Sequence, residues 1–151
     1  MGFIMSNDAK KFFNKLNESK HGRFQYQFDF YYLCLIAGLI NETPSECKGE
    51  EFFDEFPSGF VLQREQIIGL LIATQIKRDK IDVENRDRLE RLMLKLVQPD
   101  SPTRLSDYGE SLMNQYAENG FKRILEKIPL PPTNLDTFLV SYYERVLTKL
   151  K

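Results

Sequence analysis

The chain has no tryptophan, a single histidine and only two cysteines among 151 residues. Each shortage excludes something. His21 sits beside Gly22, and with Cys34 and Cys47 as the only thiols no zinc-ligand spacing can be assembled. Two cysteines make no disulfide framework, although one bridge between them stays open; reduced cytosolic thiols are the expectation. No apolar run is long enough to span a bilayer, and the longest, 67–73, is interrupted by Gly69. The first residues lack the basic-then-apolar layout of a secretory signal. Met1-Gly2-Phe3-Ile4-Met5-Ser6 fits the loose myristoylation pattern and is read as a chance match, since one acyl chain anchors only marginally. There is no phosphate loop, no dinucleotide glycine fingerprint, no nucleophile elbow and no Cys-x-x-Cys. The expectation is a cytoplasmic protein with no metal, no other cofactor and no membrane partner, and one that is not an enzyme.

Charge of one sign is also scarce: the net is −1, so no global field draws in nucleic acid. The distribution is less even. Residues 1–25 carry five basic and two acidic groups, whereas 26–60 carry one basic and seven acidic. A basic arm thus precedes an acidic segment.

What is abundant is aromatic: twelve Phe and seven Tyr, bulky rings that fill gaps between helices. Apolar spacing predicts helices over about 7–19 (Phe12, Phe13 and Leu16 on one face), 26–41, 63–78, 83–98 and 106–118, and a last one from a capping box at Thr133 and Asp136 to about residue 150. Helix 26–41 is apolar nearly all round and is expected at the centre, and 63–78 is expected as a second central helix. Gly69, inside the second of these, costs about 1 kcal/mol relative to Ala, and close approach of another helix would explain it. Glu84–Arg88 and Asp87–Arg91 are i,i+4 pairs in the favourable order. Asn119-Gly120 reads as a stop or kink before 121–127, and Pro129-Leu130-Pro131-Pro132 as a stiff linker. The fold class expected is all-α: a compact orthogonal or irregular bundle of about six helices, one domain over 1–151, with 1–6 flexible. No repeat is present, and no loop is long enough to separate independent cores.

The long connection 42–60 is the most distinctive stretch. It holds Glu42, Glu46, Glu50, Glu51, Asp54 and Glu55 against one base, Lys48, and four rings, Phe52, Phe53, Phe56 and Phe60. A turn of helix over 50–56 would put three rings on one face. Its carboxylates lack the alternating ligands and central glycine of a calcium loop, so a solvated acidic segment is the better reading. Four rings exposed within nine residues would invite aggregation, so most must fold back. A ring left outside would make an aromatic anchor ringed by charge, giving Glu50, Glu51, Phe53, Asp54 and Glu55 as the candidate partner-binding residues. The basic arm, Lys10, Lys11, Lys15, Lys20 and Arg23, interleaved with Phe12, Phe13 and Phe24, is the candidate nucleic-acid contact, against an ordinary solvated helix face. The pair 63–78 and 83–98 superficially suggests helix-turn-helix, but its turn lacks glycine and the second helix alternates charge sign.

Residues 28–39 (Phe-Asp-Phe-Tyr-Tyr-Leu-Cys-Leu-Ile-Ala-Gly-Leu), 99–106 (Pro-Asp-Ser-Pro-Thr-Arg-Leu-Ser) and 116–121 (Tyr-Ala-Glu-Asn-Gly-Phe) resemble small uncharacterised prokaryotic proteins of DNA-modification and phage-defence gene cassettes, the phosphorothioation type among them. The resemblance implies a small accessory subunit in a larger machine and transfers no functional residue. The reading that results is a non-catalytic accessory or adaptor subunit binding larger protein partners, within a DNA-processing or antiviral complex that brings it to DNA. Its rivals are a protein that binds DNA or RNA directly through the basic arm and, last, a small enzyme using carboxylates and Arg104.

Overall fold

Residues 2–18, 22–132 and 134–148 are described by a computed structural model of the chain. Six α-helices carry most of it: α1 (Asn7–Leu16), α2 (Gln27–Asn41), α3 (Arg64–Arg78), α4 (Arg86–Leu96), α5 (Asp107–Lys127) and α6 (Leu135–Ser141). The fold is largely helical but not all-α. A short strand β1 (Phe3–Ser6) pairs antiparallel with β2 (Gly49–Phe53), in the register Ile4 with Glu51 and Met5 with Glu50. Of the segment 1–6 expected to be flexible, Phe3–Ser6 form β1, and Met1 lies outside the described residues. Phe3 and Met5 point inward and are buried, while Ile4 and Ser6 are less so. Four residues of period-two alternation are too few to stand out in a sequence. The helical turn expected over 50–56 is likewise replaced by β2. A bulge between Phe3 and Ile4 breaks its register near Phe53, and a bulge bends a strand and re-aims its side chains.

The centre is the crossing of α2 with α5, not of α2 with α3. Both central helices present small residues there: Cys34, Ala37 and Gly38 on α2, Ala117 and Gly120 on α5, all buried. The helices meet backbone to backbone. A Cβ on Gly38 would lie 2.7 Å from the carbonyl carbon of Tyr116, and one on Gly120 would lie 2.6 Å from that of Cys34. Gly120 is thus a packing residue, not a helix stop, and α5 runs unbroken through Asn119-Gly120 for 21 residues. Rings of α1, α2, α5 and α6 close one side of this crossing: Phe12 stacks on Phe30 at 5.6 Å and meets Phe121 and Phe138 edge-on at 5.9 Å each. Phe3 of β1 meets Phe28 at 4.9 Å and Phe56 at 5.0 Å.

Helix α3 buries Ile67, Ile68, Leu71 and Gln75 and packs the half-buried Ile72 and Ile76 against the core. Leu70 and Ala73 face outward, and the helix is peripheral. Gly69 is exposed, and a Cβ built on it meets nothing within 4 Å; the expected helix contact at Gly69 does not exist. Helix α4 begins at Asn85, whose side chain accepts from the Arg88 amide at 3.2 Å. Neither Glu84–Arg88 nor Asp87–Arg91 is an ion pair among the described residues. Ser106 caps α5 as its sequence implies, accepting from the Gly109 amide at 3.0 Å. Thr133, the expected cap of α6, lies outside the described residues; Asn134 accepts from the Thr137 amide at 2.7 Å. Beyond Ser141 the chain winds wider, as a π-helical turn over Tyr142–Leu147, and Tyr142 donates to the Leu33 carbonyl at 2.6 Å.

Candidate functional site

Strand β2 gathers the acidic candidates. Glu50 and Glu51 lie on it, Asp54 and Glu55 just beyond, all exposed. None of the four is in an ion pair among the described residues. The four rings of the segment divide. Phe56 is buried, Phe52 half-buried against Tyr31 at 5.5 Å, and Phe60 half-buried against Phe28 at 4.7 Å. Phe53 alone is exposed, at 39%. One edge of β2 pairs with β1 and the other has no strand beside it, and charged side chains along such an edge discourage a second strand from adding. On α1, Lys10, Lys11 and Lys15 are exposed, as is Arg23 beyond it; Lys20 and His21 lie outside the described residues.

A row of buried polar residues on α5, unforeseen in the sequence, is the second arrangement. Glu110, Asn114 and Glu118 recur every four residues, which aligns them along one face. Asn114 makes three hydrogen bonds. Its Oδ1 accepts from the Ile4 amide at 3.0 Å and from the Tyr31 hydroxyl at 2.7 Å, and its Nδ2 donates to the Gly2 carbonyl at 3.0 Å. One amide side chain thereby stands in for a neighbouring strand on the second edge of β1. The Cys47 thiol donates weakly to Glu118 Oε2 at 3.9 Å. Glu110 Oε2 is buried without a donor among the described residues.

The electrostatics of this row come from its dryness. Burial pushes the carboxyls of Glu110 and Glu118 up from the usual carboxylate value. Burial, and then the charge of Glu118, push the Cys47 thiol up to about 12. Burial also raises Cys34 and Tyr31. Raised carboxyls suit general acids, but Glu110 and Glu118 are two turns apart, about 12 Å along the axis. The gap between β1, α2 and α5 beside them, lined by Tyr31, Cys34 and Glu118, measures about 10 Å³, roughly one water. No substrate fits there. The row fastens β1 and the 43–48 segment to α5, helped by Asn119 donating to Ser45 Oγ at 3.0 Å and the Ser45 amide donating to the Gln115 carbonyl at 2.9 Å.

The third arrangement is a groove. Between α3 and α4 lies an open cleft of about 520 Å³, floored by Ile68, Gly69, Ile72, Met93 and Val97, with Arg64, Glu65 and Arg104 at its rim. A second cleft of about 490 Å³ continues over α4, sharing Met93, Val97 and Pro99 and adding Leu94, Arg86 and Glu90. Two of the lining side chains stand in solvent, Leu94 at 72% and Met93 at 51%; Val61, Leu62 and Leu70, just before α3 and on it, are exposed as well. None of Arg64, Arg86 and Arg104 has an ion-pair partner among the described residues, and Arg64 Nε is shielded from solvent without an acceptor. Arg104 is held in place: it has a left-handed backbone, φ 65°, and its Nη1 donates to the Pro99 carbonyl at 2.7 Å. Sequence reasoning missed this groove because it placed the helix over 63–78 at the centre of the fold. The signal was present in Val61, Leu62, Leu70 and Leu94, which fall off the core-facing period.

Among the described residues, no group of three or more Cys, His, Asp or Glu side chains is placed to hold a metal ion, and no helix is long and apolar enough to cross a membrane. No protein-family model, no curated protein and no solved structure matches the chain.

Proposed function

We propose that this protein is a non-catalytic partner-binding subunit and that the groove between α3 and α4 is its main docking face. One observation carries the reading: two adjoining clefts are lined by the exposed Met93 and Leu94 of α4 together with the less exposed Ile68 and Ile72 of α3. Soluble monomers seldom leave a patch of this kind bare, and interfaces are where such patches occur. The buried carboxyl of Glu118, by contrast, borders a gap too small for a substrate, which favours binding over catalysis. The acidic stretch Glu50, Glu51, Phe53, Asp54 and Glu55 is the secondary contact. It offers charge and one exposed ring but no concave surface, so it would speed and orient association more than hold it. The likeness of 28–39, 99–106 and 116–121 to proteins of DNA-modification and phage-defence cassettes supports placing the subunit in a DNA-processing assembly. Direct nucleic-acid binding by Lys10, Lys11, Lys15 and Arg23 is the second reading, supported by the exposure of all four.

The test starts from native co-purification. The partner is identified, purified, and titrated against Leu94→Asp, against Glu50→Lys with Glu51→Lys, and against Lys10→Ala with Lys11→Ala and Lys15→Ala. The groove reading expects the first variant to lose affinity at least tenfold and the others to change chiefly the on-rate or nothing. Full affinity in Leu94→Asp removes the groove from the function. Loss confined to the lysine variant, with nucleic acid in the complex, favours the second reading.

A further inference from the structure

Gly69 is the helical glycine that internal packing does not explain. Gly38, Gly109 and Gly120 each lie where a Cβ would meet another segment's backbone closer than ordinary contact. At Gly69 a Cβ would meet nothing, yet the residue sits in the interior of α3, where glycine weakens a helix. It lies in the floor of the α3/α4 groove, and its missing side chain keeps that floor open down to the backbone. The charge around the groove is the second observation. Arg64, Arg86 and Arg104 border the two clefts against Glu65 and Glu90. No intramolecular ion pair absorbs the three arginines among the described residues, and Arg64 Nε is desolvated with no acceptor. A buried guanidinium N–H without an acceptor is unfavourable until one is supplied.

Resting on the docking function just proposed, we infer that the groove takes an amphipathic helix of a partner protein, one that carries carboxylates beside its apolar stripe and passes over Gly69. A helix laid in a groove anchors through side chains at i, i+3 or i+4 and i+7. Two clefts that share Met93, Val97 and Pro99 form a continuous trough for such a row. The floor of Ile68, Ile72, Met93 and Val97 takes the apolar stripe, Met93 adapting its flexible thioether to the ring or branch that arrives. An occupant side chain sits over Gly69. Carboxylates on the flanks of the stripe meet Arg64 and Arg104 at one end and Arg86 at the other. Arginine presents a planar fork that pairs two N–H groups with a carboxylate, and the tether of Arg104 to Pro99 keeps that fork in position before the occupant arrives.

The experiment is selection of binders to the full chain from a displayed library of amphipathic helices of about 18 residues, apolar stripe fixed and flanking positions free. The expected result is enrichment of Asp and Glu at the flanks and binding that weakens with salt. Arg64→Ala or Arg104→Ala should each weaken the selected peptide about tenfold, and Gly69→Leu should abolish binding while raising the melting temperature, since the added side chain has open space and ends the helix penalty. Enrichment of Lys and Arg, no enrichment of any kind, or binders that survive Gly69→Leu overturn the inference. So does a dimer in solution that Gly69→Leu makes monomeric, which would make a second copy of the chain the occupant. A natural partner that is lost with Leu94→Asp yet is not displaced by the selected acidic helix keeps the docking function and removes only its helical, acidic ligand.

Discussion

Alanine at Gly120 and alanine at Gly69 should move stability in opposite directions, although each adds one methyl group to the interior of a helix. At Gly120 the new Cβ would lie 2.6 Å from the carbonyl carbon of Cys34 and 2.7 Å from the amide nitrogen of Gly38, where ordinary contact begins near 3.4 Å. Both neighbours are backbone of the other central helix, so no rotamer change relieves the clash. Helices α2 and α5 must move apart by most of an ångström, loosening the rings packed across them. Overpacking a core costs typically 1–3 kcal/mol, and a backbone neighbour puts Gly120→Ala at about 3 kcal/mol or above, a large fraction of the about 5–15 kcal/mol that holds a domain of this size. At Gly69 the same methyl meets nothing, and the gain in helix propensity is about 1 kcal/mol. Urea unfolding followed by circular dichroism reads both, provided the slopes match that of the parent. A Gly120→Ala variant within about 0.5 kcal/mol of the parent would refute the backbone contact at the α2/α5 crossing. A destabilised Gly69→Ala would show that α3 is covered by something internal and that the groove floor is not open.

Asn114→Ala should cost about 3 kcal/mol, because three hydrogen bonds are lost and the Ile4 amide and Tyr31 hydroxyl are left buried and unpaired; hydrogen exchange at Ile4 should quicken well beyond the global change, and an unchanged Ile4 amide would show that β1 is held by other means. Burial raises the carboxyls of Glu110 and Glu118 above their ordinary value of 4.5, so over that window the folded chain binds more protons than the unfolded one. The stability tied to them is whole below that value and is lost as pH rises through the raised folded values. Glu110→Gln with Glu118→Gln should therefore flatten the fall in urea midpoint as pH rises above 4.5, and parallel profiles for parent and variant would sink the assignment. The Cys47 thiol, pushed up to about 12, leaves roughly one thiolate in ten thousand at pH 8, so iodoacetamide should label Cys47 in the urea-unfolded chain and hardly at all in the native one; equal labelling rates would place the thiol in solvent.

Helix positions were legible wherever one apolar face repeated over three turns. α2, α3 and α4 lie within one to three residues of their expected spans, and α5 starts at the expected Ser106 cap. What failed was the meaning of single residues. Asn119-Gly120 has the composition of a helix stop, and only the partner backbone at Cys34 reveals that the glycine is needed inside a helix. Gly69 has the composition of a packing contact and makes none. Sequence carries the penalty a glycine imposes and not the neighbour that justifies it. The strand at 3–6 failed for another reason. Its pairing partner is more than forty residues away and its second edge is satisfied by a side chain, Asn114, 110 residues on, so nothing local marks it.

The site was legible in proportion to how far charge alone defines it. Glu50, Glu51, Asp54 and Glu55 stand exposed together because acidic side chains clustered in sequence stay clustered on one strand and its turn, and Phe53 is the ring left outside while Phe52 and Phe56 go in. The groove was not found, because hydrophobicity in a sequence does not say what covers it. Val61, Leu62, Leu70, Met93 and Leu94 are as apolar as the residues buried around the contact of α2 with α5, yet they are exposed. Four small residues at that contact, Cys34, Gly38, Ala117 and Gly120, bring the two central helices so close that α3 can lie only along their flank, with one face in and one face out. The exposed groove is thus a consequence of the tight crossing. The two are separable by mutation: a side chain at Gly120 acts on the fold, whereas one at Gly69 acts on the groove alone.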